Sequence, residues 1–121
     1  LPPAVIGYIN AHATSTQVGD AGELAAIRAV FGEGGPAISS TKSATGHLLG
    51  AAGGLEAVFS IQAVREGILP PTLNLHEPDE AANGLDLIGP EARRQPVDVA
   101  LSNGFGFGGV NASIVVGAWK P

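Results

Sequence analysis

The 121-residue chain contains no cysteine and no methionine. Without a thiol it can form no disulfide and no zinc–thiolate site, and it offers no cysteine nucleophile of its own. Charge is also scarce. Asp, Glu, Lys and Arg make up 14% of the residues, where a soluble domain averages about 25%. Bases are fewer still, 6 against 11 acids, and only Arg93 and Arg94 stand side by side. A nucleic-acid surface needs clustered Lys and Arg, so that class of partner is set aside. Long apolar runs are missing too. The most apolar segment, Leu48–Val64, is broken by Glu56, Ser60 and Gln62 and is too short and too polar for a bilayer span. No basic-then-apolar leader is visible, and the expected location is the cytoplasm. The opening "LPPAVIGYINAH" reads as a proline-marked connection running straight into a strand, a cut between elements.

What is present points to a packed α/β domain. Hydrophobic residues make up 45% of the chain, and glycine, at 18 residues, is abundant. High apolar content with little charge argues against disorder and implies that part of the exterior faces another protein surface. Ala4–Asn10 is a continuous apolar run with β-branched residues, the mark of a strand covered on both faces. A helix is expected from Asp20 to Phe31, with Asp20 and Glu23 as a capping box and Leu24, Ala26, Ile27, Val30 and Phe31 as its apolar stripe. Ala37–Thr41 is a short strand and "KSATGH" a loop; Leu49–Glu66 is a helix stopped by Gly67 and Pro70. The Gly and Ala of that helix's first turns imply close packing against its backbone. Short strands are expected at Leu73–Leu75, Leu85–Ile88, Val97–Leu101 and Ala112–Val116, the last two joined by "SNGFGFGGVN". Ligands in such sheets gather outside the carboxyl ends of the strands. The loops 11–19, 42–47 and 102–109 occupy that kind of position.

Two apparent motifs fail on context. Gly104, Gly106 and Gly109 satisfy a G-x-G-x-x-G spacing, yet a strand pattern follows where a dinucleotide fingerprint needs a helix. "STKS" resembles the end of a P-loop but lacks its glycines. His12 and His47, each taken alone, read as structural histidines, and His76 as a solvated one. Lys42 is harder to dismiss, because a lysine in apolar surroundings is rarely buried unpaired. Glu56 is the only charge between Leu48 and Val64 and so its natural partner. Together, two imidazoles on adjacent strand-end loops can aim two N–H donors at one oxygen, an arrangement that stabilises an enolate or oxyanion. The glycines at 104, 106, 108 and 109 would let a backbone amide approach the same place. Phe105 and Phe107 could line an apolar tunnel, with core packing the preferred reading for Phe105.

"NAHATSTQVGD", "SSTKSATGHLLGAAGGLEAV", "PPTLNL" and "SNGFGFGGVNASIVV" together resemble the C-terminal part of the β-ketoacyl-acyl-carrier-protein synthases, in order and with family spacing. The lysine–histidine stretch is closer to the elongating, synthase II-like members than to modular polyketide synthases. The resemblance implies a thiolase-like fold, with residues 1–121 forming the C-terminal βαβαββ half, a mixed sheet flanked by helices. It implies decarboxylative Claisen condensation without metal or organic cofactor. His12 and His47 would hold the malonyl thioester and promote decarboxylation, with Lys42 and Glu56 as the supporting pair. Thr14 and Thr16 would line the pantetheine entrance. Phe107 would gate the acyl chain and lend its amide to an oxyanion hole, with Phe105, Gly106 and Gly108 beside it. The implied partners are acyl carrier protein, the N-terminal half that carries the nucleophilic cysteine, and a second copy in a homodimer. Neither nucleic acid nor membrane is implied. Two departures stand out: Ala13 occupies a position where the family usually has Gly, and the cysteine is absent, so the chain alone is expected to be inactive. The competing readings are a non-catalytic partner subunit that binds carrier protein, a polyketide-type ketosynthase, and a thiolase of coenzyme A metabolism. The last lacks support, since thiolases use a second cysteine near this end.

Overall fold

A computed structural model describes residues 1–121. Its strands are β1 (Tyr8–Asn10), β2 (Ala37–Ser39), β3 (Ile68–Leu69), β4 (Asp86–Leu87), β5 (Arg93–Arg94), β6 (Val99–Gly106) and β7 (Val110–Gly117). Its helices are α1 (Gln17–Phe31), α2 (Lys42–Thr45) and α3 (Ala52–Glu66). The main sheet has the order β4-β2-β1-β6-β7. All neighbours are parallel except β7, which pairs antiparallel with β6. The expected mixed sheet is therefore present, parallel from β4 to β6 with one antiparallel edge. β3 and β5, absent from the sequence reading, form a separate antiparallel pair.

β1 is wholly buried because it sits mid-sheet between two layers. Alternate side chains serve each layer. Tyr8 joins Ala37, Ala63, Leu69, Ile88 and Ala100 on one side, while Ile9 joins Ile6, Ala11, Ile27 and Ile38 on the other. Gly7 precedes β1 under Val97, and a Cβ placed there would lie 2.7 Å from Val97 Cγ1. Gly7→Ala should therefore lower stability by about 1–3 kcal/mol through overpacking, read as a shift in the denaturation midpoint.

Several expected boundaries shift for identifiable reasons. Ala4 and Val5 belong to a 3-10 turn at Pro3–Val5 rather than to β1, as the preceding prolines favour. Leu73–Leu75 forms a turn instead of a strand: Asn74 has φ 66°, and the Leu75 amide donates back to the Thr72 carbonyl. The "KSATGH" loop contains the single turn of α2. β6 runs through Gly104 and Gly106, which pair with Ala112 and Val110, so the glycine-rich connection is largely strand.

α3 departs most from expectation. Its buried residues are Ala52, Glu56, Ser60 and Ala63, a small and polar stripe at helical spacing. Val58 and Ile61 face outward and are exposed. A Cβ at Gly50, Gly53 or Gly54 meets no atom within 4 Å, so the expected close approach is made by nothing in this chain. The helix ends at Gly67 in the left-handed region (φ 64°), its amide donating to the Ala63 carbonyl, a helix stop that favours glycine.

Candidate active site

Because β2, β1 and β6 run parallel, their carboxyl ends open on one side. His12 lies just past β1, Lys42 opens α2 just past β2, and His47 follows Gly46, whose φ of 73° ends α2. A column of buried polar groups leads up to them. The Tyr8 hydroxyl and Ser39 Oγ are 2.8 Å apart, and Asn10 Nδ2 donates to Thr41 Oγ1 at 3.1 Å. Burial raises the Tyr8 phenol above its ordinary pKa, which keeps it neutral. At the top of the column Lys42 Nζ donates to Glu56 Oε1. The two residues are 7% and 2% exposed. The expected pair thus forms, out of reach of solvent screening.

The His12 and His47 rings are 5.4 Å apart, centroid to centroid, and mutually perpendicular. His47 Nδ1 accepts the Leu49 amide at 3.2 Å, so the neutral ring carries its hydrogen on Nε2. That bond requires an unusual backbone: Leu49 has φ 53°. The other non-glycine residues with positive φ, Ser15 and Asn74, line the neighbouring cleft. Backbone strain of this kind gathers where a side chain must be held in one place.

Burial, followed by the nearby Lys42 ammonium, lowers the His12 pKa below the usual 6.5, against the opposing charge of Glu23. The unfolded chain therefore binds this proton more readily than the folded one, and stability declines as pH falls below 6.5 toward the depressed value. An NMR titration of the His12 ring should show a midpoint below 6.5, and Lys42→Met should move it upward by removing the repelling charge.

His12, Thr14, Thr16, His47, Glu56, Phe105, Gly106 and Phe107 line one cleft. Lys42 lines the adjoining one, which shares Thr14 and His47. Gly108 lines neither and sits in the hairpin turn at φ 78°. Phe107 is 97% exposed. Phe105 is half-buried with its ring 5.5 Å from that of His12, beside the imidazole rather than in the core.

The capping box fails. Thr16 is the N-cap, Asp20 Oδ1 accepts the Ser15 amide, and Glu23 turns inward to the backbone of His12 and Ala13. The signal for this was its helical spacing: Glu23 stands four residues before buried Ile27, on the apolar face. Asn103, which also bonds Glu23, was missed as well.

The family described as "Beta-ketoacyl synthase, C-terminal domain" matches residues 1–76. The chain belongs to the β-ketoacyl synthase family. It is 51% identical over 111 residues to 3-oxoacyl-[acyl-carrier-protein] synthase 1 of Escherichia coli (strain K12), covering 92% of this chain and 27% of that relative. A solved β-ketoacyl synthase from Burkholderia phymatum STM815 superposes with a TM-score of 0.93 at 44% identity, covering 99% of this chain and 29% of that one. A ketosynthase solved in complex with its type II PKS acyl-carrier protein matches at TM-score 0.84 and 31% identity, covering 97% of this chain and 29% of its own. The β-ketoacyl synthase chain thus spans about a quarter of the curated relatives it matches and has the thiolase-like architecture of the solved ketosynthases.

Proposed function

We propose that residues 1–121 are the C-terminal catalytic part of a fatty-acid elongating 3-oxoacyl-acyl-carrier-protein synthase. The observation that carries this reading is the pair of perpendicular imidazoles 5.4 Å apart beside the buried Lys42–Glu56 pair. An oxygen between the rings can accept from both. In the reaction the bond from the malonyl α-carbon to its carboxylate breaks and carbon dioxide leaves. The electron pair delocalises onto the thioester oxygen, which His12 and His47 hold. The α-carbon then attacks an acyl thioester, a carbon–carbon bond forms, and the enzyme thiolate departs. That thiolate comes from another segment, since this chain has no cysteine.

Thr14 and Thr16 border the cleft where pantetheine would enter, and Phe105, Gly106, Phe107 and Gly108 belong to the hairpin beside the acyl chain. The Phe107 amide serves the oxyanion hole and its exposed ring the gate. Carrier protein delivers the malonyl group, a reading supported by the matched ketosynthase solved with its own carrier protein. The outward apolar residues Val58 and Ile61 of α3, and Ile114 and Val115 of β7, are 43–50% exposed. We assign their cover to the N-terminal half of the synthase, within a homodimer. We place the protein in the cytoplasm as part of the same reading. No helix is long and apolar enough to cross a membrane.

The test is the full-length synthase supplied with acyl- and malonyl-carrier protein. Release of carbon dioxide with formation of 3-oxoacyl product is expected, and absence of both would end the proposal. The 121-residue piece alone should form no product.

A further inference from the structure

Between α1 and the sheet the chain leaves a cavity of about 140 Å³. Leu24 and Ile27 of α1, Ile38 of β2, Leu87 of β4, and Leu75 and Ala82 of the segment 72–82 form its apolar walls. Protein interiors are close-packed, and a void this large forfeits contacts along every wall. An apolar cavity of about 150 Å³ stays dry and accepts a benzene ring. None of these residues lines the cleft of His12, Phe105 and Phe107.

The polar groups around the cavity are already engaged. Ser39 Oγ meets the Tyr8 hydroxyl at 2.8 Å, Ser40 Oγ donates to the Ala13 carbonyl at 3.1 Å, and Thr72 Oγ1 accepts the Ser40 amide at 3.1 Å. Such walls deny a water the two to four partners it needs. Asp20, Glu23 and Asp79 also line the space, and three carboxylates exclude an anion. Glu23, the one fully buried acid among them, already holds three N–H donors and has no call for a cation. What remains is uncharged apolar volume. Arg28, next to Ile27, holds the wall that contains Ala82. Its Nη2 donates to the Ala81 and Asn83 carbonyls at 2.9 and 2.6 Å, tying that segment to α1.

We propose that this cavity is a binding site for one small uncharged apolar molecule, the size of a single aromatic ring, enclosed by the segment that Arg28 holds. Binding here needs neither imidazole and is independent of the functional reading above.

The experiment uses the full-length synthase, with xenon and benzene as probes, and no activity enters either readout. Xenon-pressurised crystals should show xenon among Ile27, Ile38 and Leu87, and crystals of Ala82→Leu, whose added carbons fill the space, should show none there. In solution, saturating benzene should raise the melting temperature of the parent by about 1–3 °C more than that of Ala82→Leu. Leu24→Phe narrows the same space from α1 and gives the comparison independently of how Ala82→Leu folds. Arg28→Ala should weaken this benzene response, moving its half-saturation about 3–10-fold higher; an unchanged half-saturation would overturn the enclosure. Ordered water in the parent cavity, or no xenon there, would overturn the apolar site. So would an equal benzene response in the parent and both filled variants, because any other apolar region of the synthase that takes benzene is the same in all three.

Discussion

Glu56→Ala should destabilise the full-length protein by about 3–5 kcal/mol, the cost of leaving a buried charge without its counter-ion. The magnitude follows from where the pair sits. The side chains of Lys42 and Glu56 are 4% and 3% exposed, so water can neither screen the attraction nor solvate a widowed ammonium. Lys42 has no alternative acid within hydrogen-bond reach; Glu56 is its one recorded acceptor. Two further variants separate charge from shape. Glu56→Gln keeps an acceptor oxygen at the same length and should cost less than the alanine. Lys42→Met combined with Glu56→Leu removes both charges and should return most of the lost stability, because apolar replacements of a buried pair are often neutral or better. Catalysis should not return with it, since the methionine cannot orient the site or polarise its neighbours. Urea denaturation of the four proteins measures the first effect, and malonyl decarboxylation the second. If Glu56→Ala unfolds within about 0.5 kcal/mol of the parent, the value expected of an unremarkable surface change, the pair is not buried as described.

Much of this site was legible because its residue types are costly anywhere else. A lysine beside a β-branched run needs a partner, and Glu56 was the only acid in the apolar stretch that follows. His12 could be placed past a strand because β1 lies in the mostly apolar run Ala4–Asn10, and His47 near it because it closes the loop that follows the short strand of Ala37–Thr41. What escaped was set by tertiary context. The larger apolar residues of α3 would be expected to form its buried face, yet the chain buries its small and polar stripe and leaves Val58 and Ile61 outside. No periodicity distinguishes a helix covered by its own chain from one covered by another segment. Glu23 escaped for a related reason: an acid near a helix start satisfies local capping rules, and only the fold brings the His12 amide and Asn103, 80 residues away, within its reach. Phe105 looked like core because aromatics in strands usually are, whereas β6 runs on beyond the end of β1 and carries it to the imidazole.

His47→Ala should lower malonyl decarboxylation by the full-length synthase about 10²–10³-fold, the usual loss when one of two donors to a developing oxyanion is removed. His47 is exposed, so the substitution should leave stability within about 0.5 kcal/mol of the parent, and the defect will be one of chemistry. The Leu49 amide occupies Nδ1, which leaves Nε2 as the only ring donor of the neutral imidazole. This makes the choice of conservative replacement decisive. Glutamine places an amide N–H near the position of Nε2 and should recover part of the rate; asparagine mimics the Nδ1 position and should recover little. His12→Ala should match His47→Ala in size. The double variant should fall short of the product of the two losses, because in the proposed mechanism both groups serve one oxygen and act as a unit. Equal recovery by asparagine and glutamine would mean that the ring does not donate from Nε2. Fully additive losses would mean that the two imidazoles serve different atoms, which would dissolve the shared-donor mechanism while leaving the fold untouched.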